Sequence, residues 1–319
     1  MAKTLGVDHG TQALRFCLLE DRGKRFFEIE RGKASKVSVL SLLERKGFLE
    51  VDIIGLSYSM ADAIDAISDV KKIENRGQAE EVTGELVGAG TRLFDEIAGS
   101  GKRAVLIPGL HRGITCLDER FRFLYSHMAA SEKVALAYHA YLKVNEKIDA
   151  GDLIISDISS NTVTIGIKDR KFFGAIDACL GALGFFHGPL DLGNIRSIDS
   201  GKTTANKAFY SAGVSYLSGL GSKEILGGKT DEARLALDSL IAAAEMEVFG
   251  LASIIRPKAI AVAGSAGTHN NVFGRLKDAF EEIAPVFKLD RFAAATGAAE
   301  IASDVLGGKK DFLGIGVDL

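Results

Sequence analysis

The stretch TLGVDHGTQALRFCLLE, from Thr4 to Glu20, restricts the fold more than any other part of the chain. Two apolar runs, Leu5–Val7 and Ala13–Leu19, flank the polar turn Asp8-His9-Gly10-Thr11-Gln12. Short apolar runs rich in branched and aromatic side chains, bounded by turn residues, predict strands. Between them stand a carboxylate, a glycine and a hydroxyl. Glycine tolerates backbone angles closed to other residues, so Gly10 lets the chain wrap closely around a ligand. Consecutive N–H groups in such a turn form a concave nest suited to phosphate oxygens. Asp8, ending the first strand, offers the hard oxygen donors that suit a hydrated Mg²⁺. The plainer alternative is a β-hairpin whose Asp and Gly serve only the turn.

At 319 residues the chain has room for one large domain or two ordinary ones, and 47% hydrophobic residues supply a sizeable core. Its net charge of −3 gives no electrostatic case for nucleic acid or an anionic membrane surface. No apolar run reaches the roughly 18 uncharged residues of a membrane span. The start, MAKTLGVDHG, lacks a signal-peptide core and runs straight into a strand. Cys17, Cys116 and Cys179 are far apart, odd in number and without metal spacing, the usage expected of a reducing cytoplasm.

Along the chain, a third strand is expected at Arg25–Arg31 and a helix over Val37–Lys46 capped by Ser35. Val51–Tyr58 reads as a buried strand, Thr91–Ala98 as a helix, Ala104–Pro108 as a short strand. Ser131–Ile148 is an amphipathic helix in which His139 serves packing or the surface. Asp152–Ser156, Thr162–Lys168 and Lys171–Asp177 then repeat the opening plan, with Asp157-Ile158-Ser159-Ser160-Asn161 as the polar turn. Helices are expected at Asp199–Leu217 and at Thr230–Ile255, the latter burying Leu235, Leu237, Leu240 and Ile241 and stopped by Pro257. A fully apolar strand, Ala259–Ala263, leads into Gly264-Ser265-Ala266-Gly267-Thr268-His269-Asn270-Asn271 and a helix to about Ile283. A short strand at Val286–Leu289 and a last helix, Ala293–Leu306, complete the chain. Alternating strands and helices give an α/β class with mixed or parallel sheets.

The turn from Gly264 has its N–H groups and the following helix dipole facing one place. A dinucleotide turn of Gly-x-Gly-x-x-Gly type is the competing reading, and the spacing fails it.

Asp8, Gly10, Thr11 and Arg15 form the pattern Asp-x-Gly-Thr-x-x-x-Arg, which resembles the first phosphate motif of the actin-like ATPase superfamily. Actin, the sugar kinases, the acetate and butyrate kinases and the heat-shock chaperone ATPases belong there. The Gly264 turn resembles that fold's adenosine motif, and Tyr125–Ala135 resembles the histidine segment of acetate and butyrate kinases. The stretch Leu153–Asp199, with Asp177 and the loop His187-Gly188-Pro189, runs parallel to theirs. Across most of its length the chain resembles the archaeal family called methanogenesis marker protein 12, described as butyrate kinase-like. Three departures stand out. The second turn has Ser156-Asp157-Ile158-Ser159-Ser160 where those kinases carry a glycine-rich His-Leu-Gly turn; the first has Asp8-His9-Gly10 where acetate kinases have Asn-x-Gly; their acyl-site arginine has no clear counterpart around Leu56–Met60.

The resemblance implies a two-domain actin-like ATPase (ribonuclease H-like) fold with duplicated mixed sheets and an interdomain nucleotide cleft. The expected domains are 1–150 and 151–319, with the helix at about 293–306 packing back on the first. It implies ATP and Mg²⁺ as cofactors, a small carboxylate as phosphoryl acceptor, and a possible homodimer. Gly10, Thr11, Ser159 and Ser160 would hold phosphate oxygens; Asp8 and Asp157 would hold Mg²⁺; Gly264, Gly267 and Asn270 would bind adenosine. His127 and Arg196 would stabilise the transferring group. The alternatives are an ATPase or ATP-switched regulator, and a non-catalytic scaffold of the same fold.

Overall fold

The computed structural model describes residues 2–21, 23–57, 63–73 and 89–319. The chain forms two compact units, one of Met1–Leu142 with Phe292–Leu319 and one of Lys143–Arg291.

The opening hairpin consists of β1 (Thr4–Asp8) and β2 (Ala13–Glu20), followed by β3 (Gly23–Glu30). Next come α1 (Arg31–Ala34), α2 (Val39–Arg45), β4 (Ile53–Ser57), β5 (Ile67–Asp69), α3 (Ala89–Gly99) and β6 (Ala104–Ile107). The expected helix over Val37–Lys46 begins later, because Ser38 rather than Ser35 caps it by accepting from the Ser41 N–H. Tyr58 and Met60 lie outside the described residues. β7 (Leu110–His111), α4 (Glu119–Leu124), β8 (His127–Ala129) and α5 (Ser131–Asn145) follow. His127 therefore sits in a strand, opposite His111.

In the second unit, β9 (Leu153–Ile158), β10 (Thr162–Lys168) and β11 (Lys171–Ile176) form an antiparallel run. β9 extends through Asp157 and Ile158, so the polar turn is only Ser159–Asn161. The helix expected at Asp199–Leu217 is instead α6 (Leu192–Asp199), α7 (Ala205–Tyr210) and α8 (Val214–Ser218). Gly201 at φ +69° ends the first, Thr204 caps the second and Gly213 starts the third. After α9 (Ser222–Gly227), Thr230 caps α10 (Asp231–Ile255). Leu237, Leu240, Ile241, Ala244, Val248 and Leu251 are buried on α10, but Leu235 is 69% exposed because it falls on the outer side of the turn. β12 (Ala259–Ala263), α11 (Asn270–Phe280) and β13 (Val286–Lys288) complete this unit. Among the described residues its sheet has the order β11-β10-β9-β12-β13, with β12 parallel to β9 and β13.

The chain then returns to the first unit with α12 (Ala293–Leu306), β14 (Asp311–Phe312) and β15 (Ile315–Asp318). The sequence reading stopped at the helix and missed this final hairpin, which pairs with β5. Among the described residues the sheet runs β14-β15-β5-β6-β4-β1-β2-β3, with β1, β4 and β6 parallel. One face packs Leu5, Val7, Leu14 and Phe16 against Leu43, Leu93 and Ile97. The other receives α12 at backbone distance. A Cβ on Gly6 would stand 1.9 Å from Ala295 O, and one on Gly55 2.1 Å from Ala298 O. The alanines of α12 and these strand glycines are thus one device: small residues on both sides bring helix and sheet close enough to fix where β1 ends.

Candidate functional site

In the first unit, β1 delivers Asp8 to its C-terminal end, 4% exposed. The hairpin register sets Asp8 opposite Arg15 and Arg15 opposite Glu28, a carboxylate–guanidinium–carboxylate ladder across three strands. Arg15 Nη1 is 3.3 Å from Asp8 Oδ2, and its Nε donates to Glu28 Oε2 at 2.8 Å. Burial pushes the Asp8 carboxyl up to about 6, against the pull of Arg15; Glu132 raises it further and Lys133 opposes. Those two residues open α5, and Lys133 is only 5% exposed, with Nζ 3.8 Å from Glu132 Oε1. A buried lysine at a helix start beside the first turn is a candidate that the sequence reading passed over.

The turn itself is braced from three sides. The His9 N–H donates to Ser57 Oγ, whose hydroxyl donates to Val7 O at 2.9 Å. Arg31 Nη1 donates to Gly10 O at 3.3 Å, and the Arg31 N–H to Gln12 O at 2.9 Å. The His9 ring lies over Gly90, where a Cβ would stand 1.4 Å from Cε1. Burial and the Arg31 charge hold His9 down to about 4, so it is neutral at pH 7. Gly10 is not among the residues with positive φ. Space is what excludes a side chain there, since a Cβ would meet Ala13 O at 2.8 Å. Thr11 is partly exposed beside it.

His127 stands apart from that turn in sequence, on the two-stranded β7–β8 sheet. Its cross-strand neighbour His111 is locked: Nδ1 accepts from the Gly113 N–H at 3.2 Å, and Nε2 lies 3.1 Å from Ile64 O. Such a pattern puts the His111 proton on Nε2.

In the second unit, Asp157 sits near the C-terminal end of β9, 6% exposed, in register with Ala263 on the parallel strand β12. Gly264 follows at φ +85°, and a Cβ there would lie 2.2 Å from Ile158 O and 2.3 Å from Asp157 Oδ1. Only glycine allows this approach. The N–H groups of Ala266 and Gly267 both donate to Ile158 O at 3.0 Å. Thr268 donates its hydroxyl to Gly264 O at 2.6 Å. Asp157, Gly264 and Gly267 are therefore one cluster. Neither of those two amides faces a ligand, contrary to a nest in which successive amides all point outward.

The Ser159–Asn161 turn is held by backbone. Ser159 O accepts from the Phe185 N–H at 2.9 Å, and Ser160 O from Phe186 and His187 at 3.0 and 2.9 Å. His187, 3% exposed, stacks on Phe209 at 4.7 Å and meets Tyr210 edge-on. Asn270 is exposed at the first turn of α11, with Oδ1 accepting from Lys288 at 3.2 Å. Arg196 is exposed on α6, a helix with no buried residue. That helix borders a cavity of about 510 Å³ lined by Leu183, Pro189, Asn194, Ser197, Lys202 and Tyr216 among others. No group of three or more His, Cys, Asp or Glu side chains fit to hold a metal ion occurs among the described residues. No described helix is long and apolar enough to cross a membrane.

No family model matches the chain. A UPF0285 protein from Methanocaldococcus jannaschii is 45% identical over 330 residues, covering 99% of each chain. Another from Methanothermobacter thermautotrophicus is 40% identical over 333 residues, covering 99% of this chain and 98% of that one. Among solved structures, an acetate kinase from Porphyromonas gingivalis superposes at TM-score 0.67 with 14% identity, over 96% of this chain and 100% of that one. A propionate kinase from Francisella tularensis gives 0.65 with 10% identity, over 95% and 100%. A ROK family glucokinase from Streptomyces griseus, in complex with glucose and AMPPNP, gives 0.56 with 16% identity, over 95% and 99%. Likeness at such identities establishes the fold, the mixed α/β fold of the actin-like ATPases.

Proposed function

The chain belongs to the UPF0285 family of methanogen proteins, and from that premise we propose that it is an ATP-dependent phosphotransferase with a small-molecule acceptor. The carrying observation is a duplicated one: each unit places a buried carboxylate at the C-terminal end of a buried strand, Asp8 as the last residue of β1 and Asp157 as the last but one of β9, shortly before a turn into an antiparallel strand. In this reading Gly10 and Thr11 of the first unit, and Ser159 and Ser160 of the second, take phosphate oxygens. Gly264, Gly267 and Asn270 take the adenosine. The carboxylates of Asp8 and Asp157 are hard donors that fit Mg²⁺, which when bound neutralises phosphate charge.

The acceptor we favour is a small carboxylate, as the butyrate kinase-like resemblance of the methanogenesis marker protein 12 type implies. A carboxylate oxygen would bond to the γ-phosphorus as the bond to the β–γ bridging oxygen breaks, giving an acyl phosphate and ADP. Arg196 and His127 would compensate the charge that develops on the transferring group. The cavity beside α6, within the usual ligand-pocket range of about 300–1,000 Å³, is our candidate for the acceptor's apolar tail.

One observation favours a second reading, an ATPase or ATP-driven switch. Asp157 replaces the glycine-rich phosphate turn of the acetate and butyrate kinases, and a carboxylate there can orient water as well as a metal.

Calorimetric titration of Mg·ATP into the wild type and Asp8→Asn tests the common ground. Binding near ~10 μM, about 7 kcal/mol, is expected, with heat lost in the variant. No heat at about 1 mM with folded protein removes the enzyme reading. With binding established, hydroxylamine trapping over short-chain carboxylates separates the two: acyl hydroxamate marks the kinase, and phosphate release without it marks the switch.

A further inference from the structure

Glu247 is a buried acid that the proposed phosphoryl transfer leaves unused. α10 turns it inward at 5% exposure. Its Oε1 accepts from the Ala182 N–H and its Oε2 from the Thr164 hydroxyl, both at 2.6 Å. Thr164 Oγ1 lies 3.3 Å from the hydroxyl of Ser156, the residue before Asp157. Gly181 approaches so closely that a Cβ would stand 2.1 Å from Glu247 Oε1. Burying a carboxyl is costly where an aliphatic side chain would be favourable. The position is accounted for by what the carboxyl holds.

What it holds is the loop that shapes the second turn. Beyond Ala182, Leu183 O accepts from Thr162 Oγ1 at 2.9 Å. Phe185, Phe186 and His187 donate their N–H groups to Ser159 O and Ser160 O. Gly184 lies so near that a Cβ would stand 2.5 Å from Asn161 Cα. The turn has no glycine of its own to define it. Its shape is imposed by residues 183–187, and these are fastened to α10 at Ala182.

We propose that Glu247 is a positioning residue for the second phosphate turn: through Ala182 it fixes Leu183–His187 against Ser159–Asn161, and through Thr164 it fixes the end of β9. The inference rests on reading Ser159–Asn161 as a phosphate turn. Asp177 is the charged group that faces Glu247, and it supplies no counter-charge. The Ala182 N–H can only donate, so a proton taken up by Glu247 sits on Oε2 and is donated to Thr164 Oγ1. The Thr164 hydroxyl then swings to Ser156. Glutamine in this place keeps an acceptor for Ala182 and a donor for Thr164, holding the loop without titrating.

Amide hydrogen exchange over 157–164 and 182–187, alongside Mg·ATP calorimetry, tests this on wild type, Glu247→Gln and Glu247→Ala. The alanine variant should exchange in both segments at least about tenfold faster, with β12 unchanged. Its Mg·ATP affinity should fall by roughly tenfold, and glutamine should restore both. Burial pushes Glu247 up to about 7, so wild-type protection of the turn should vary between about pH 6 and 8 beyond intrinsic exchange, and that variation should vanish with glutamine. Wild-type protection in a folded alanine variant overturns the proposal. So does a pH dependence that persists with glutamine, and this arm decides if the alanine variant fails to fold. If the exchange arms behave as stated but wild type binds no Mg·ATP, the phosphotransferase reading falls and the positioning of the turn stands.

Discussion

Asp8 and Asp157 hold the same place in the plan of their units and are kept there by opposite means. Asp8 faces a guanidinium, Arg15, set opposite it by the β1–β2 register, and its turn is tied down by the side chains of Arg31 and Ser57. Asp157 lies against bare backbone at Gly264, and the turn after it is held by main-chain bonds from Phe185, Phe186 and His187. The first turn is thus an assembly of charges. The second is an assembly of main chain and small residues. The first carboxylate should therefore respond directly to the charges around it, and the second to steric change in the main chain it lies against, with pH reaching the turn after it only through Glu247.

The largest effect should come from a methyl group in the second unit. Gly264→Ala combines a left-handed backbone with overlap against Ile158 O, and should lower unfolding free energy by roughly 3–5 kcal/mol. Gly10→Ala, with no positive φ and a milder overlap, should cost about 1–2 kcal/mol. Urea unfolding of both variants measures the gap, and equal losses would break the comparison.

Asp8→Asn comes next, with an effect on stability of the opposite sign to its effect on function. The folded carboxyl is raised from 3.8 to about 6, so the native state favours the protonated form. The stability this group contributes is full below pH about 4 and is lost as pH rises through about 6. Asparagine carries no such loss. At pH 7.5 the variant should therefore unfold later than wild type, by up to about 3 kcal/mol, and the two should converge at pH 4. Thermal melts at the two pH values check this.

Arg15→Gln should act most gently. Removing the cation that holds Asp8 down should move its titration upward, shifting the acid limb of Mg·ATP binding by about one pH unit. Binding measured from pH 5 to 8 reads the limb. An unmoved limb would mean that the ladder does not govern Asp8.

Much of the fold was legible because its strands are short apolar runs between turn residues. β1, β2, β10 and β12 fall where the hydrophobic pattern puts them, as does α12. Local pattern failed where glycine and threonine interrupt helical periodicity, so the span expected as one helix, Asp199–Leu217, holds only the last residue of α6 and then two short helices, α7 and α8. It failed again at Leu235, whose side of α10 depends on which face meets the sheet. Of the candidate site, Asp8, Gly10, Asp157 and Gly264 stand at the ends of recognisable strands. Lys133 and Glu247 were missed because a charged residue on a helix ordinarily reads as solvated, and only packing buries it.

The local pattern of residues was enough for the alternation of strands and helices, the two carboxylates at strand ends before polar turns, and the glycine turn from Gly264. Each of these follows from the backbone preferences of neighbouring residues, which act over a few positions of chain. Packing and strand pairing set how Arg15 is shared between Asp8 and Glu28, how the Gly264 turn closes over Asp157, and how α12 lies on the backbone of β1. Those contacts join residues as far as 295 positions apart, as from Thr4 to Ala299. Their energies come from burial and registry between elements, terms that no local pattern contains.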